Sequence, residues 1–249
     1  MEQAGYQKVT NDDGQETLDV ADLARFRQAA YRLFSTMLLY PDEKRLKTVT
    51  TVAGELEKQA DFLATFSFFI QWKELLDVLQ NLGGLKSATV QEQYVQIFMV
   101  NPEYAPCLPY ESAYAEEGSN PGWTAVMLER EYAAAGLSLA ASLREAPDHA
   151  AVEFEFMAFL CNQEASAWEA TRLNEGVTAL KRQTTFLEQH LSRWLPALAK
   201  RVSGKDPSGL YATVTRAAEA FIAHDRGLVE ALVERFESPT VGLLADSVS

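Results

Sequence analysis

The longest apolar pattern in the chain lies between residues 145 and 160, where EAPDHAAVEFEFMAFL joins a proline to a dense apolar run. At about 100° per residue, its apolar side chains cover most of the circumference of a helix. His149 and Glu153 fall inside that apolar arc, one turn apart, whereas Asp148 and Glu155 fall on a narrow polar side. A helix that is apolar nearly all round lies at the centre of its domain. Because buried ionisable groups need partners, the pattern predicts that His149 and Glu153 pair with each other, while Asp148 lies at an exposed helix start. A neutral, hydrogen-bonded histidine that joins the helix start to a loop is the alternative for His149.

Helical periodicity recurs along most of the chain, and no stretch shows the two-residue alternation of a strand. Bounded by proline, glycine and polar signals, helices are predicted over residues 19–40, 42–59, 61–80, 89–100, 122–136, 145–173, 175–203, 208–223 and 225–236. Pro196 lies inside one of them and is the expected position of a kink. The fold class is therefore all-α, a single globular bundle of about eight to ten helices over residues 18–236. Residues 1–17 are predicted to be a disordered tail and residues 237–249 a flexible one.

The helical pattern is interrupted at residues 101–122, which hold four prolines and two glycines. Such a density of proline and glycine excludes regular structure across most of the segment. Connections of this length are functional or disordered, and the aromatic rings of Tyr110 and Tyr114 argue against plain disorder. Carboxylates beside tyrosines, as at Glu111, suit a guanidinium ligand. The same residues are equally consistent with an anchor for the loop.

Composition and charge exclude several classes of function. The formal net charge is −13 and no cluster of Lys or Arg is present, so neither nucleic acid nor an anionic membrane is an expected partner. An acidic surface favours basic partners such as an Arg-rich peptide, although many soluble proteins are this acidic without one. The two cysteines do not form a disulfide scaffold. The first residues lack the apolar core of a signal peptide and the apolar runs are too short to span a membrane, so a cytoplasmic protein is expected.

The sequence contains no phosphate-binding loop and no nucleophile elbow, so no catalytic residues are assigned and the chain is not expected to be an enzyme. A metal-binding or catalytic site built from His149, Glu153 and Glu155 is kept as an alternative. A di-metal bundle would repeat the Glu-x-x-His pattern on other helices, which this chain does not do, so no metal ligands are assigned. His190 and His224 lie on ordinary helical stretches and are expected to be surface or capping residues.

Four segments, in order, resemble the TorD/DmsD/NarJ family of chaperones for molybdoenzymes. QEQYVQIFMV resembles the family's Tyr-x-x-Leu-Phe helix, with Ile97 in the leucine position. PYESAY, residues 109–114, resembles its Pro-Tyr-Glu-Ser-x-Tyr loop, and APDHAAVEFEFMAFL resembles its Pro-Asp-His helix start. FLEQHLSRWLPALA, residues 186–199, resembles its Phe-Leu-x-x-His-Leu and Trp-Leu-Pro segment. The resemblance covers roughly residues 20–236.

The resemblance implies an all-helical cytoplasmic chaperone. Such a protein binds the N-terminal, often twin-arginine, signal region of a molybdopterin-containing catalytic subunit and holds that subunit until its molybdenum cofactor is inserted. Carried over by motif, the peptide-binding residues are Tyr94, Phe98, Tyr110, Glu111, Pro147, Asp148 and His149. Asp148, Glu111 and Glu117 are expected to pair with the arginines of the client, and Tyr94, Phe98 and Tyr110 to line a trough for its apolar segment. Glu153 and Tyr114 are expected to support the site.

No cofactor is assigned to the chaperone itself, although the resemblance implies weak binding of guanine nucleotides. Its partner is expected to be the catalytic subunit alone, without nucleic acid or stable membrane insertion, and the protein to be a monomer or a dimer. A permanent structural subunit of a redox complex stays open as a further alternative.

Overall fold

The computed structural model describes residues 9–10, 16–17, 19–58, 60–99, 106–115, 121–140 and 143–238. The α-helices of these segments are α1 (Val20–Met37), α2 (Glu43–Glu57), α3 (Ala60–Leu63), α4 (Phe69–Asn81), α5 (Ser87–Phe98), α6 (Pro121–Ala134), α7 (Ala150–Glu169), α8 (Leu173–Gln189), α9 (Leu191–Lys205) and α10 (Leu210–Glu237). Short 3-10 helices span Leu82–Gly84 and Glu111–Tyr114, and Val9–Thr10 pairs antiparallel with Glu16–Thr17. The predicted all-α fold class is confirmed. Most of the tail predicted at 1–17, and residues 239–249 of the other, lie outside the described residues.

Helix α7 is the central element, as its apolar circumference predicts. It packs along α1 on one side and α8 on another. Its Phe154 is fully buried and packs against Tyr31 and Phe34 of α1. The core continues into a group of aromatic rings from α1, α4 and α10, in which Trp72 and Phe221 stack with ring centroids 6.0 Å apart. Burial of such large rings supplies most of the stabilisation of a helical core.

The predicted helix 61–80 is interrupted, which corrects the sequence prediction. The chain turns between α3 and α4, where the backbone N–H groups of Phe66 and Phe69 donate to the carbonyls of Leu63 and Phe66. This turn points Phe68 into the aromatic core and lays the ring of Phe66 on His224 of α10. Packing of the two phenylalanines therefore overrides the helical propensity of the segment.

The C-terminal helix boundaries also differ from those predicted. The predicted helix 175–203 breaks at His190, between α8 and α9, while Pro196 lies inside α9 without ending it. The predicted helices 208–223 and 225–236 form one continuous helix, α10. Asp225 does not cap a new helix there, because its side chain is held by groups on α1 instead. A short polar residue favours a helix boundary only when its side chain is free to bond the local backbone.

A buried network of polar side chains joins α1, α7, α8 and α10. The guanidinium of Arg27, 1% exposed, donates from Nε to Asp225 Oδ1 at 2.5 Å and from Nη1 to Glu164 Oε2 at 2.7 Å. It also donates to Gln183 Oε1, and Tyr31 donates to Asp225 Oδ2 at 2.6 Å. The neighbouring carboxylates raise the pKa of Arg27 despite its burial. The cation therefore stays charged, and its donors link α1 to three other helices.

Candidate functional site

The loop predicted to carry function is attached to the start of α7 by backbone hydrogen bonds. Ala150 N–H donates to Pro109 O at 2.8 Å, and Glu111 N–H donates to Asp148 O at 2.9 Å, so Tyr110 and His149 form a single antiparallel bridge. The Pro-Tyr-Glu-Ser and Pro-Asp-His motifs begin at Pro109 and Pro147, 38 residues apart in the sequence, and therefore meet in space. Tyr110 reinforces the contact: its hydroxyl donates to Glu145 at 2.9 Å.

Asp148 lies inside this junction and not at an exposed helix start. Only 3% of the residue is exposed, and its Oδ2 accepts the backbone N–H of Ser112 at 3.2 Å. The expectation that Asp148 contacts a client directly does not fit this position, because its carboxylate already serves the loop. The residues just before α7 pack against the loop. A helical-wheel projection cannot show this contact, because it arranges residues around the axis of a single helix. Pro147 beside it is half-buried, and its carbonyl accepts the hydroxyl of Tyr132 at 2.9 Å.

His149 caps α7 and does not lie within its first turn. Its Nδ1 accepts the backbone N–H of Ala151 at 3.1 Å, and burial lowers the pKa of the imidazole despite the nearby charges of Glu145 and Asp148. A neutral ring is the form that can accept at Nδ1. The helix begins at Ala150, one residue later than the pairing of His149 with Glu153 requires. That predicted pair is therefore not formed.

Glu153 has a different partner, on α9. Its Oε2 accepts the indole N–H of Trp194 at 3.1 Å, while its Oε1 is buried and has no hydrogen-bond partner among the described residues. The residue is 0% exposed. Burial, and then the charge of Glu111, raise the pKa of Glu153 well above that of an ordinary carboxyl group. Burial therefore favours the protonated form of this carboxyl group.

The sequence prediction placed His190 on the surface or at a cap. His190 does lie at the cap position between α8 and α9, but it is buried, and its role as a cation of the site was missed. The residue is 5% exposed, with Nδ1 at 2.8 Å from Glu111 Oε2 and Nε2 at 3.1 Å from Glu131 Oε1. Burial lowers the pKa of His190, but the hydrogen bonds to the two carboxylates outweigh it and raise the pKa to about 10. The imidazolium is therefore present at neutral pH and joins the loop, α6 and the break between α8 and α9.

Tyr94 and Phe98, predicted to line a trough, are core residues. Tyr94 is 6% exposed and donates its hydroxyl to Leu38 O at 3.2 Å, and both rings pack on Tyr211. Tyr114, by contrast, is half-buried, with its ring 5.5 Å from that of Trp194 and the guanidinium of Arg201 4.5 Å above it. Glu117, predicted to bind a client arginine, lies outside the described residues.

An apolar groove lies next to the junction, between α1, α7 and the segment that follows α6. Its volume is about 540 Å³. Its surface is more apolar than polar. The lining residues are Gln28, Arg32, Ser35, Leu39, Tyr132, Leu137, Ser138, Leu139, Ala140, Leu143, Ala151, Val152, Glu155, Phe156, Phe159 and Asn162. Tyr132 belongs to both the groove and the junction, since its hydroxyl bonds the carbonyl of Pro147. The sequence feature that could have indicated this groove is the second apolar face of α7. The sequence prediction assigned that face wholly to the core.

The alternative site of His149, Glu153 and Glu155 is not assembled. The side chain of Glu155 is 57% exposed and lies 3.8 Å from Arg32, at the groove, whereas Glu153 faces Trp194. Across the described ranges, no group of three or more His, Cys, Asp and Glu side chains is arranged to hold a metal ion. In the same part of the chain, no helix has the length and apolar character needed to cross a bilayer.

Comparisons with known proteins match this chain to redox-enzyme chaperones. The profile of the family described as "Nitrate reductase delta subunit" matches residues 67–200. The chaperone protein TorD of Vibrio cholerae (strain M66-2) is 30% identical over 164 residues, which are 65% of this chain and 73% of that protein. The selenate reductase assembly chaperone of Thauera selenatis is 31% identical over 123 residues, 49% of this chain and 62% of that protein.

A solved structure shares the fold. It belongs to an Archaeoglobus fulgidus protein described as a candidate redox enzyme maturation protein. Superposition gives a TM-score of 0.51 at 24% sequence identity and covers 79% of this chain and 93% of that one. At this identity the likeness concerns the arrangement of helices alone.

Proposed function

The chain belongs to the nitrate reductase delta subunit family, within the TorD/DmsD/NarJ group whose motifs it carries, and from that premise we propose that it is an assembly chaperone. Its client is the catalytic subunit of a molybdoenzyme, bound through the N-terminal signal region of that subunit. Similar proteins named as chaperones for selenate and perchlorate reductases support this class of client. Insertion of the molybdenum cofactor would follow while the client is held.

The observation that carries the proposal is the placement of carboxylates beside an apolar groove. Glu111, Glu131 and Glu145 are 15%, 31% and 23% exposed in their side chains, so each is reachable from solvent without being freely hydrated. Arginine contacts at such a partly exposed edge avoid the desolvation cost of a fully buried ion pair. The groove of about 540 Å³ beyond Tyr132 then accepts the apolar residues that accompany the basic motif.

Titration calorimetry with a synthetic peptide tests this proposal. The peptide carries two adjacent arginines followed by an apolar run, taken from the N-terminus of a molybdoenzyme catalytic subunit of the same organism. We expect saturable binding that weakens when both arginines become alanine, and weakens further as salt screens the carboxylates. Equal binding of the two peptides would contradict the assignment of the carboxylates.

Matched variants of the protein locate the site. Glu145→Gln keeps an acceptor for Tyr110 but removes one negative charge from the junction, so affinity for the arginine peptide should fall roughly tenfold, the value of one charge-assisted hydrogen bond. Glu188→Gln removes an exposed charge from α8 and should leave affinity unchanged. Equal effects of the two substitutions would show a general electrostatic attraction without a defined site.

Co-purification separates a chaperone from a permanent subunit. A chaperone should be recovered with the client before its cofactor is inserted and be absent from the mature enzyme. A structural subunit would remain in stoichiometric amounts in the cofactor-loaded complex.

A further inference from the structure

His190 occupies a position that suits a client arginine. Its imidazolium lies between the carboxylates of Glu111 and Glu131, with charge-assisted contacts of 2.8 Å and 3.1 Å on its two nitrogens. These are two of the three partly exposed carboxylates proposed to receive the client. A client cation that binds both must therefore replace a cation that the protein itself supplies.

A third carboxyl group, that of Glu153, also influences the imidazole. Glu153 and His190 affect each other electrostatically, and Oε1 of Glu153 is fully buried with no hydrogen-bond partner among the residues that the structure describes. A buried oxygen in this condition gains free energy from any donor that reaches it. His190 lies where the chain breaks between α8 and α9, so its movement would not disturb the interior of a continuous helix.

We propose that His190 is an exchangeable internal cation that makes the site selective for arginine. A client guanidinium takes its place between Glu111 and Glu131, and the imidazolium turns to the free oxygen of Glu153. The only covalent bond that changes is the O–H bond of Glu153, which releases its proton to solvent as its carboxylate accepts the imidazolium. Total charge is conserved, because one positive charge arrives with the client and one leaves with the proton. The inference rests on the proposed function, since the displacing group is the arginine of the bound peptide.

The exchange favours arginine over lysine for geometric reasons. A guanidinium is planar and has five N–H donors, so it can reproduce the two opposed contacts of the imidazolium. A lysine ammonium is a compact, strongly hydrated charge that loses more hydration in a space where the histidine side chain is only 6% exposed. Lysine should therefore be a poor competitor while His190 is present.

Calorimetry with paired peptides tests the selectivity. Peptides with two arginines or two lysines at the same positions are titrated into the wild-type protein, His190→Gln and Glu153→Gln. In His190→Gln the competing cation is absent, so the lysine peptide should gain roughly tenfold in affinity and the preference for arginine should shrink. In Glu153→Gln the displaced imidazolium has no ionisable partner, so the arginine peptide should bind roughly tenfold more weakly. An unchanged arginine preference in His190→Gln would overturn the inference.

Nuclear magnetic resonance of the wild-type histidines tests the exchange without any substitution. The chain has three histidines, so their ring signals are readily separated. Saturation with the arginine peptide should shift the ring nitrogens of His190 and leave those of His224 in place. If the peptide binds while the His190 signals stay unchanged, the exchange is refuted and the chaperone function stands. If the peptide does not bind at all, both are refuted.

Discussion

Replacement of Arg27 by methionine should destabilise the protein severely, because it removes the cation from the buried network of α1, α7, α8 and α10. Methionine is similar in length and apolar, so the substitution leaves little empty space. What it leaves is Asp225 with Tyr31 as its remaining donor, and Glu164 with the amide of Gln183 and the indole of Trp168. Two buried carboxylates then lack a counter-charge.

The expected loss follows from the four hydrogen bonds of the guanidinium: two to Asp225 and one each to Glu164 and Gln183. Their individual strengths do not simply add, since the remaining groups retain some partners. Removing one member of a buried ion pair costs about 3–5 kcal/mol. Against a total stability of about 5–15 kcal/mol for a domain, such a loss is readily measured.

Urea unfolding followed by circular dichroism measures the effect, with Arg25→Met as the matched control on the same helix. Arg25 pairs with Glu169 at 2.9 Å, but the two side chains are 30% and 50% exposed, so the loss there should be about 0–1 kcal/mol. A triple variant with Arg27→Met, Glu164→Gln and Asp225→Asn removes all three charges and should recover much of the stability lost by Arg27→Met. If Arg27→Met loses no more than Arg25→Met, the network does not stabilise the fold as described.

Four further predictions concern the site. The pKa of His190 is raised to about 10 from an ordinary value of 6.5. Its contribution to the free energy of unfolding is therefore complete below pH 6.5 and is lost as pH rises towards 10, at up to about 1.4 kcal/mol per pH unit. His190→Gln should remove this pH dependence from the free energies of unfolding measured by urea titration at several pH values. The pKa of Glu153 is also raised in the folded protein, so ionisation of its carboxyl group in the unfolded chain opposes folding above pH 4.5. Glu153→Gln should therefore raise the urea midpoint of unfolding at pH 7, and this gain should disappear at pH 4. Asp148→Asn should lower the free energy of unfolding by about 1 kcal/mol and speed amide hydrogen exchange at Ser112, because the Asp148 carboxylate accepts the Ser112 N–H. The sequence-based expectation was instead that this substitution weakens client binding and spares the fold. Unchanged exchange at Ser112 would count against the buried role. Leu139→Glu places a charge in the apolar groove and should weaken peptide binding roughly tenfold, with little change in melting temperature. Unchanged affinity would show that the apolar segment of the peptide binds outside this groove.

The sequence predicts the fold well where periodicity alone decides the structure. The central position of α7 follows from its apolar circumference, and the helical periodicity leads directly to the all-α class. The break at His190 could not be predicted in this way, because neither proline nor glycine marks it and Pro196 lies six residues further on. Interactions with Glu111 and Glu131, distant in the sequence, hold His190 in place.

The sequence predicts which segments form the site, but it does not predict the contacts that their side chains make. The two motifs that meet at His149 were identified, but a shift of one residue in the start of α7 changes the partner of its side chain from Glu153 to the helix backbone. Helical projection cannot resolve one residue at a terminus. Arg27 illustrates a second limit: a charged residue on a helix is assigned to the surface unless its distant partners are known.

The backbone bridge between the loop and α7 has a consequence for how such a protein can change over generations. Pro109 O, Ala150 N–H, Glu111 N–H and Asp148 O hold the loop through main-chain atoms, which nearly every amino acid supplies. Exchange of the side chains at positions 110 and 111 therefore keeps these main-chain bonds and removes the contacts of Tyr110 with Glu145 and of Glu111 with His190. Under the proposed function, mutations there would alter which client is recognised while the main-chain attachment of the loop is kept, so new pairings of chaperone and enzyme would need only a few substitutions.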